Sequence, residues 1–243
     1  MKKFNTVVIS IAGTASKTTY AKHGLVPLMP GSISVAIENL NFGDGPSDID
    51  LSAKQFHALA AKLNANTADS YVIDIGASNV KEMLKHFSEL PLTRDEIDAW
   101  VVPVRAGSKE RYDTLQTANL LMDMGIDPSI ICVVPQAVAD PDQFDTEFGQ
   151  LGSILGESGV FMSPIVVLYN DVYNYIKGSS KSVFDIVAEK PNFKQLRLDN
   201  ADNPERLQEI GQEMLIFSLA HTACKNLESV FGRLPFAVRI SNE

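Results

Sequence analysis

The stretch AGTASKTT, residues 12–19, sets an ammonium and two hydroxyls, Lys17, Thr18 and Thr19, directly behind a run of small residues. That grouping suits a polyphosphate. Binding one takes consecutive backbone N–H groups bent around the anion, a helix N-terminus behind them, a lysine for the outer phosphates and a hydroxyl for a divalent cation. On this reading Gly13, Thr14, Ala15, Ser16, Lys17, Thr18 and Thr19 form the cup, with Gly13 placed where backbone must approach phosphate closely. Asp74 ends the apolar run YVID, and a carboxylate at a strand terminus can share Mg2+ with Thr18 through water. Capping of the following turn is the alternative role for Asp74. Lys17 and Asp74 are the candidates for catalysis, and Thr18 and Asp74 those for the metal.

The loop departs from the pattern G-x-x-x-x-G-K-[ST] at both glycines, with Ile11 at the first and Ser16 at the second. A serine there gives up cheap access to positive φ and adds a side chain near the phosphate, each a penalty of about 1 kcal/mol. Nucleotide binding is weakened by this and not abolished.

Positioning such a cup takes a strand before it and a helix after it. The runs TVVISIA (6–12), SISVAI (32–37), SYVIDIG (70–76), AWVVPV (99–104), SIICVVP (129–135) and SPIVVLY (163–169) are nearly continuous in apolar residues, as strands buried on both faces require. Between them Phe56, Leu59, Ala60 and Leu63 share one helical stripe, and Val80, Met83, Leu84 and Phe87 another. Ser108 is the expected cap of a helix running toward Gly125. Asp140-Pro141 and Asn203-Pro204 have the same signature, the latter before the longest helical stretch. The alternation predicts an α/β fold: a three-layer, doubly wound, mostly parallel sheet with helices on both faces, formed by residues 1–243 as a single domain. Its ligands belong at the carboxyl ends of the strands, in loops 12–18, 38–50, 76–80, 104–109 and 135–142. KGSSKS (177–182) reads as a mobile loop or an ordinary solvated turn.

With 45% hydrophobic and 21% charged residues in 243, the composition is that of a globular protein. No apolar run reaches the roughly 20 residues needed to cross a bilayer, and the N-terminal run is too short for a signal peptide, so the expected location is the cytoplasm. The net charge is −9, with 12 basic and 20 acidic residues in 1–170 and 9 and 10 in 171–243, which disfavours direct non-specific DNA binding. Cys132 and Cys224 sit in apolar contexts and read as buried thiols. The four histidines are scattered without metal-ligand spacing, and GESG (156–159) does not fit a serine nucleophile elbow.

Residues 12–19 resemble the loop K-G-G-x-G-K-T-T of the ParA/MinD-like deviant Walker ATPases, matching at Gly13, Lys17, Thr18 and Thr19 and departing at Ala12, Thr14 and Ser16. Within that group the chain is similar to the plasmid stability proteins called StbB, through KTTYAKHGLVPLM, SVAIENLNFGDG, YVIDIGASN and WVVPVRAGSKERYDTLQTANLLMDMGI, between about residues 5 and 135. The resemblance implies a P-loop NTPase-like fold, ATP and Mg2+ as cofactors, and nucleotide-dependent homodimerisation in plasmid stability or partition. It also implies slow turnover. The leading lysine of the family reaches a partner's phosphates across the dimer, and Ala12 has no charge to offer. Glu38 and Asp44 are candidates for the acidic residue that activates water, although neither has the family's D-x-D surroundings. Asp140 and Asp142 fall where the family reads base or ribose. Arg105, Lys109 and Arg111 gather after the AWVVPV strand, available to phosphate, a partner or DNA, or simply as a solvated helix start. The other readings are a non-hydrolysing adaptor, with a degenerate loop and a DNA-bound partner protein, and a small-molecule kinase or synthetase on the same fold.

Overall fold

The computed structural model describes residues 3–13, 16–38, 48–66, 68–138 and 141–237. In chain order the strands are β1 (Thr6–Val8), β2 (Ile33–Ile37), β3 (Ile49–Leu51), β4 (Tyr71–Ile75), β5 (Ala99–Arg105), β6 (Ile131–Val138), β7 (Phe161–Met162) and β8 (Val167–Leu168). They form one sheet in the order β3-β2-β4-β1-β5-β6-β7, with β8 also pairing β6, and every pairing among the described residues is parallel.

Alternate side chains of the interior strands feed two cores, as the two-residue period of a strand requires. Val7, Ile73, Ile75, Trp100, Val102 and Val104 enter the first core, and Val8, Val72, Val101, Cys132 and Val134 the second. The first is covered by α1 (Phe56–Ala65), α2 (Val80–Glu89), α3 (Ser108–Asp123) and α4 (Phe144–Glu157). Both predicted stripes, from Phe56 to Leu63 and from Val80 to Phe87, lie buried there. Phe87 meets Trp100 edge to face at 5.0 Å, a contact worth about 0.5–1.5 kcal/mol beyond its buried area.

The second core is covered by a π-helical segment, Thr19–Leu25, followed by a short α-helical turn, Val26–Leu28. Beside it pack α5 (Val172–Tyr175), α6 (Val183–Ala188) and the last turns of α8 (Pro204–Phe231). α8 also packs along α6 and α7 (Phe193–Asp199), with Phe193 against Phe217 at 5.5 Å. The sheet is therefore three-layered and doubly wound, and β1 and β5, adjacent in it, are followed by helices on opposite faces. Such a switch point leaves a crevice at the carboxyl ends of the strands.

Several sequence expectations change. The run 129–135 extends to Val138, 163–169 yields only Val167–Leu168 as strand, and β3 and β7 are additional short strands. Ser108 is not the cap of α3. Gly107 holds that position with φ +134°, a conformation glycine adopts cheaply, and the Glu110 carboxylate folds over it where a side chain would stand. Asn203 does cap α8, accepting from the Arg206 N–H at 3.0 Å, whereas Asp140 lies outside the described residues. The 177–182 stretch is pinned: the Ser179 carbonyl accepts from Lys22 Nζ, and Ser182 forms a capping box with Asp185. Cys132 and Cys224 are buried free thiols, and burial pushes their pKa values up to about 12 and about 11.

Candidate functional site

The phosphate-loop candidate follows β1 at the switch point. Gly13 is exposed in a turn, and a Cβ there would meet no atom within 4 Å. Thr14 and Ala15 lie outside the described residues. Ser16 is exposed and has φ +20°, at the edge of the left-handed region, so the position does ask for the freedom of the missing glycine. Its carbonyl accepts from the Tyr20 N–H at 3.3 Å, which ties the loop to the helical segment behind it. Lys17 begins that helix. It is only 7% exposed, and its Nζ donates to the Ala12 carbonyl at 3.2 Å. Burial holds the Lys17 ammonium below its ordinary pKa, while the charges of Asp74 and Glu38 push it back up.

Thr18 and Asp74, 56 residues apart in sequence, meet directly, with Thr18 Oγ1 donating to Asp74 Oδ2 at 2.7 Å. Parallel pairing makes this possible, because β1 and β4 run side by side with Val8 opposite Asp74 and the loop rises from the end of β1. Asp74 is 5% exposed, and a nearly buried carboxylate needs hydrogen bonds or a cation to hold its charge. A hydroxyl and a carboxylate converging on one point are the hard oxygen donors that Mg2+ takes, and Mg2+ keeps water and phosphate oxygens for its other positions. No cluster of three or more metal-ligating His, Cys, Asp or Glu exists among the described residues. Glu38, at the end of β2, is half-buried and near enough to act on the Lys17 charge. Asp44 lies outside the described residues.

Beside the loop is a partly open hollow of about 240 Å³ reaching from Ser16 and Thr19 to Arg105, Gln136, Asn170 and Tyr173. Arg105 and Gln136 are register partners at the ends of β5 and β6. Gln136 is 3% exposed, and its Nε2 has no hydrogen-bond partner among the described residues, a buried donor left for a ligand acceptor. Arg105 is exposed at the rim. The expected basic group does not act as a unit, because Arg111 donates to the carbonyl and carboxylate of Glu147, tying α3 to α4. Lys109 is exposed and, like Asp142 in the turn Pro141–Gln143, does not line the hollow. Gln136, Asn170 and Tyr173 were not singled out in the sequence. Their signal is positional: polar residues just past an apolar strand.

No protein-family model and no curated protein matches the chain. Among solved structures it is similar to the MinD cell division protein of Aquifex aeolicus, at 13% identity and a TM-score of 0.50, over 77% of this chain and 90% of that one. It is likewise similar to a chain of the MinC:MinD cell division protein complex of the same organism, at 13% identity and a TM-score of 0.50, over 77% and 89%. An apo McdA structure from Cyanthece aligns at 12% identity and a TM-score of 0.47, over 87% and 99%. The MinD likeness and the parallel, doubly wound sheet together show a P-loop NTPase-like α/β fold.

Proposed function

We propose that this chain is a ParA/MinD-like nucleotide-binding protein that takes up ATP with Mg2+ at the loop 12–19. The observation that carries the proposal is the 2.7 Å contact of Thr18 with Asp74 beside the buried Lys17 ammonium, at the carboxyl end of the sheet. With nucleotide bound, Lys17 would leave the Ala12 carbonyl for the outer phosphates, and the N-terminus of the following helix would meet the phosphate chain. Thr18 Oγ1 and Asp74 are the residues that would hold the metal, which would neutralise charge on the phosphate oxygens. Base and ribose occupy the hollow, where Gln136 Nε2 donates to the base and Arg105 closes the rim. Glu38 is the described carboxylate nearest in role to a water-positioning group.

On this reading the whole chain acts as one domain in the cytoplasm, and nucleotide drives homodimerisation in a plasmid stability or partition process. Turnover is slow, because Ala12 is buried and uncharged and supplies no cation across a dimer. A second reading rests on the positive φ of Ser16. If that strain keeps the loop from closing on phosphate, the chain is a non-hydrolysing adaptor that binds a DNA-bound partner protein. Lys17→Ala separates the two. Loss of a charged hydrogen bond worth about 1.5–3 kcal/mol should lower ATP affinity about 10- to 100-fold and abolish any nucleotide-dependent increase in size measured by light scattering. An adaptor would show neither effect and would keep its partner.

A further inference from the structure

A second cavity, of about 560 Å³, lies on the α2 and α3 side of the sheet, and none of Ser16, Lys17, Thr18 or Asp74 lines it. Its walls are mostly apolar, with Ile11 and Ala77 at one end and Val80, Leu84, Leu120 and Met124 along the two helices. One rim is different. Lys81, Lys85 and Ser88 follow one another along α2 at helical spacing, facing a single acidic residue, Asp123, across the opening. Lys81 makes no hydrogen bond or ion pair among the described residues, and the 3.7 Å contact of Lys85 with Glu89 is an exposed pair that costs little to give up. The lining residues themselves set two ammonium groups against the one carboxylate of Asp123, so Lys81 is the cation left for an anion over the apolar hollow. Leu120, 40% exposed at the mouth, has apolar surface left for an occupant to cover.

We propose that this cavity binds a small amphipathic monoanion, an apolar body carrying one carboxylate or sulfonate. The volume falls within the ~300–1,000 Å³ usual for small-molecule sites, where apolar walls supply affinity and a few polar groups fix orientation. Here the apolar body lies between Leu84 and Leu120, and its acidic group meets Lys81 and Lys85. The proposal does not rest on nucleotide binding at the other site.

The probe for the test is 1-anilinonaphthalene-8-sulfonate, whose aromatic body and single sulfonate copy the proposed ligand class, titrated into the full chain without nucleotide. Expected is one saturable site with blue-shifted emission, displaced by decanoate. Leu120→Glu, at the mouth, should weaken binding at least tenfold. Lys81→Glu should weaken it by about tenfold, less so at high salt where charge is screened. Leu198→Glu changes a leucine on α7 that is more exposed still, at 64%, and does not line this cavity, and it should leave the titration as it was, with circular dichroism verifying the fold of each variant. The proposal is overturned if binding does not saturate, or if Leu120→Glu and Leu198→Glu bind the probe alike. It is also overturned if sedimentation shows a dimer that excludes the probe and that Leu120→Glu dissolves, since the face would then belong to a second copy of the chain.

Discussion

Thr18 and Asp74 hold each other at 2.7 Å, and in the proposed complex a triphosphate with its metal must part them. A hydrogen bond to a charged group contributes about 1.5–3 kcal/mol, so a double-mutant cycle of Thr18→Val and Asp74→Ala, followed by urea unfolding without nucleotide, should give a coupling energy of that size. Additive effects would mean that the contact carries no energy. Lys17 gives a second expectation. Burial sets its pKa below 10.5 in the free protein, and a bound triphosphate, by adding negative charge, raises it. Between those two values binding takes up a proton, so ATP affinity should fall as pH rises through the lower one. Calorimetry in two alkaline buffers of different ionisation enthalpy would detect that uptake. Proton release would contradict the assigned role of Lys17.

The segment Thr19–Leu25 shows how an element can depend on one close approach. It is wound as a π-helix, with the Val26 N–H bonded to the Ala21 carbonyl, and it brings Gly24 against α8. A Cβ on Gly24 would stand 2.5 Å from Phe231 Cε2, within the buried second core. Gly24→Ala should cost about 1–3 kcal/mol by overpacking, and Phe231→Leu should relieve part of it, so the double variant unfolds at a higher urea concentration than the sum of the singles implies. One residue earlier, His23 is 7% exposed and lies against Tyr173, with ring centroids 5.5 Å apart. Burial first, and then the charge of Lys22, lower its pKa from 6.5 to about 4, opposed by the Asp185 carboxylate. Its folded pKa lies below its unfolded one, so the stability it permits is full above about pH 6.5 and is lost as pH falls toward 4. The loss should approach roughly 3 kcal/mol. In His23→Leu the unfolding free energy should decline less steeply over that window.

Elements with a long apolar signature could be read from the sequence, and those set by tertiary contact could not. Continuous apolarity placed β4 and β5, and the stripes from Phe56 and Val80 placed α1 and α2. The three residues of β3 and the two of β7 are too short to show a period and exist because neighbouring strands pair with them. Nothing in TYAKHGL signals a π-helix, and the cap at Gly107 depends on where Glu110 folds. At the candidate site, loop and carboxylate were legible as types at expected positions. The hollow beside them was not, because Gln136 and Tyr173 come together only when β6 and α5 pack.

At the scale of the whole molecule, a parallel sheet with helices on both faces leaves a crevice at β1 and β5, and a lysine, a hydroxyl and a carboxylate come together beside it. That crevice is the proposed place for a nucleoside triphosphate with its metal. Isothermal titration calorimetry of the full chain with ATP, with and without Mg2+, tests it most directly. The expected result is saturable binding of one ATP per chain that is tighter with Mg2+ and at least tenfold weaker in Lys17→Ala. Absence of heat with ATP in both conditions, or equal binding by the wild type and Lys17→Ala, would contradict it.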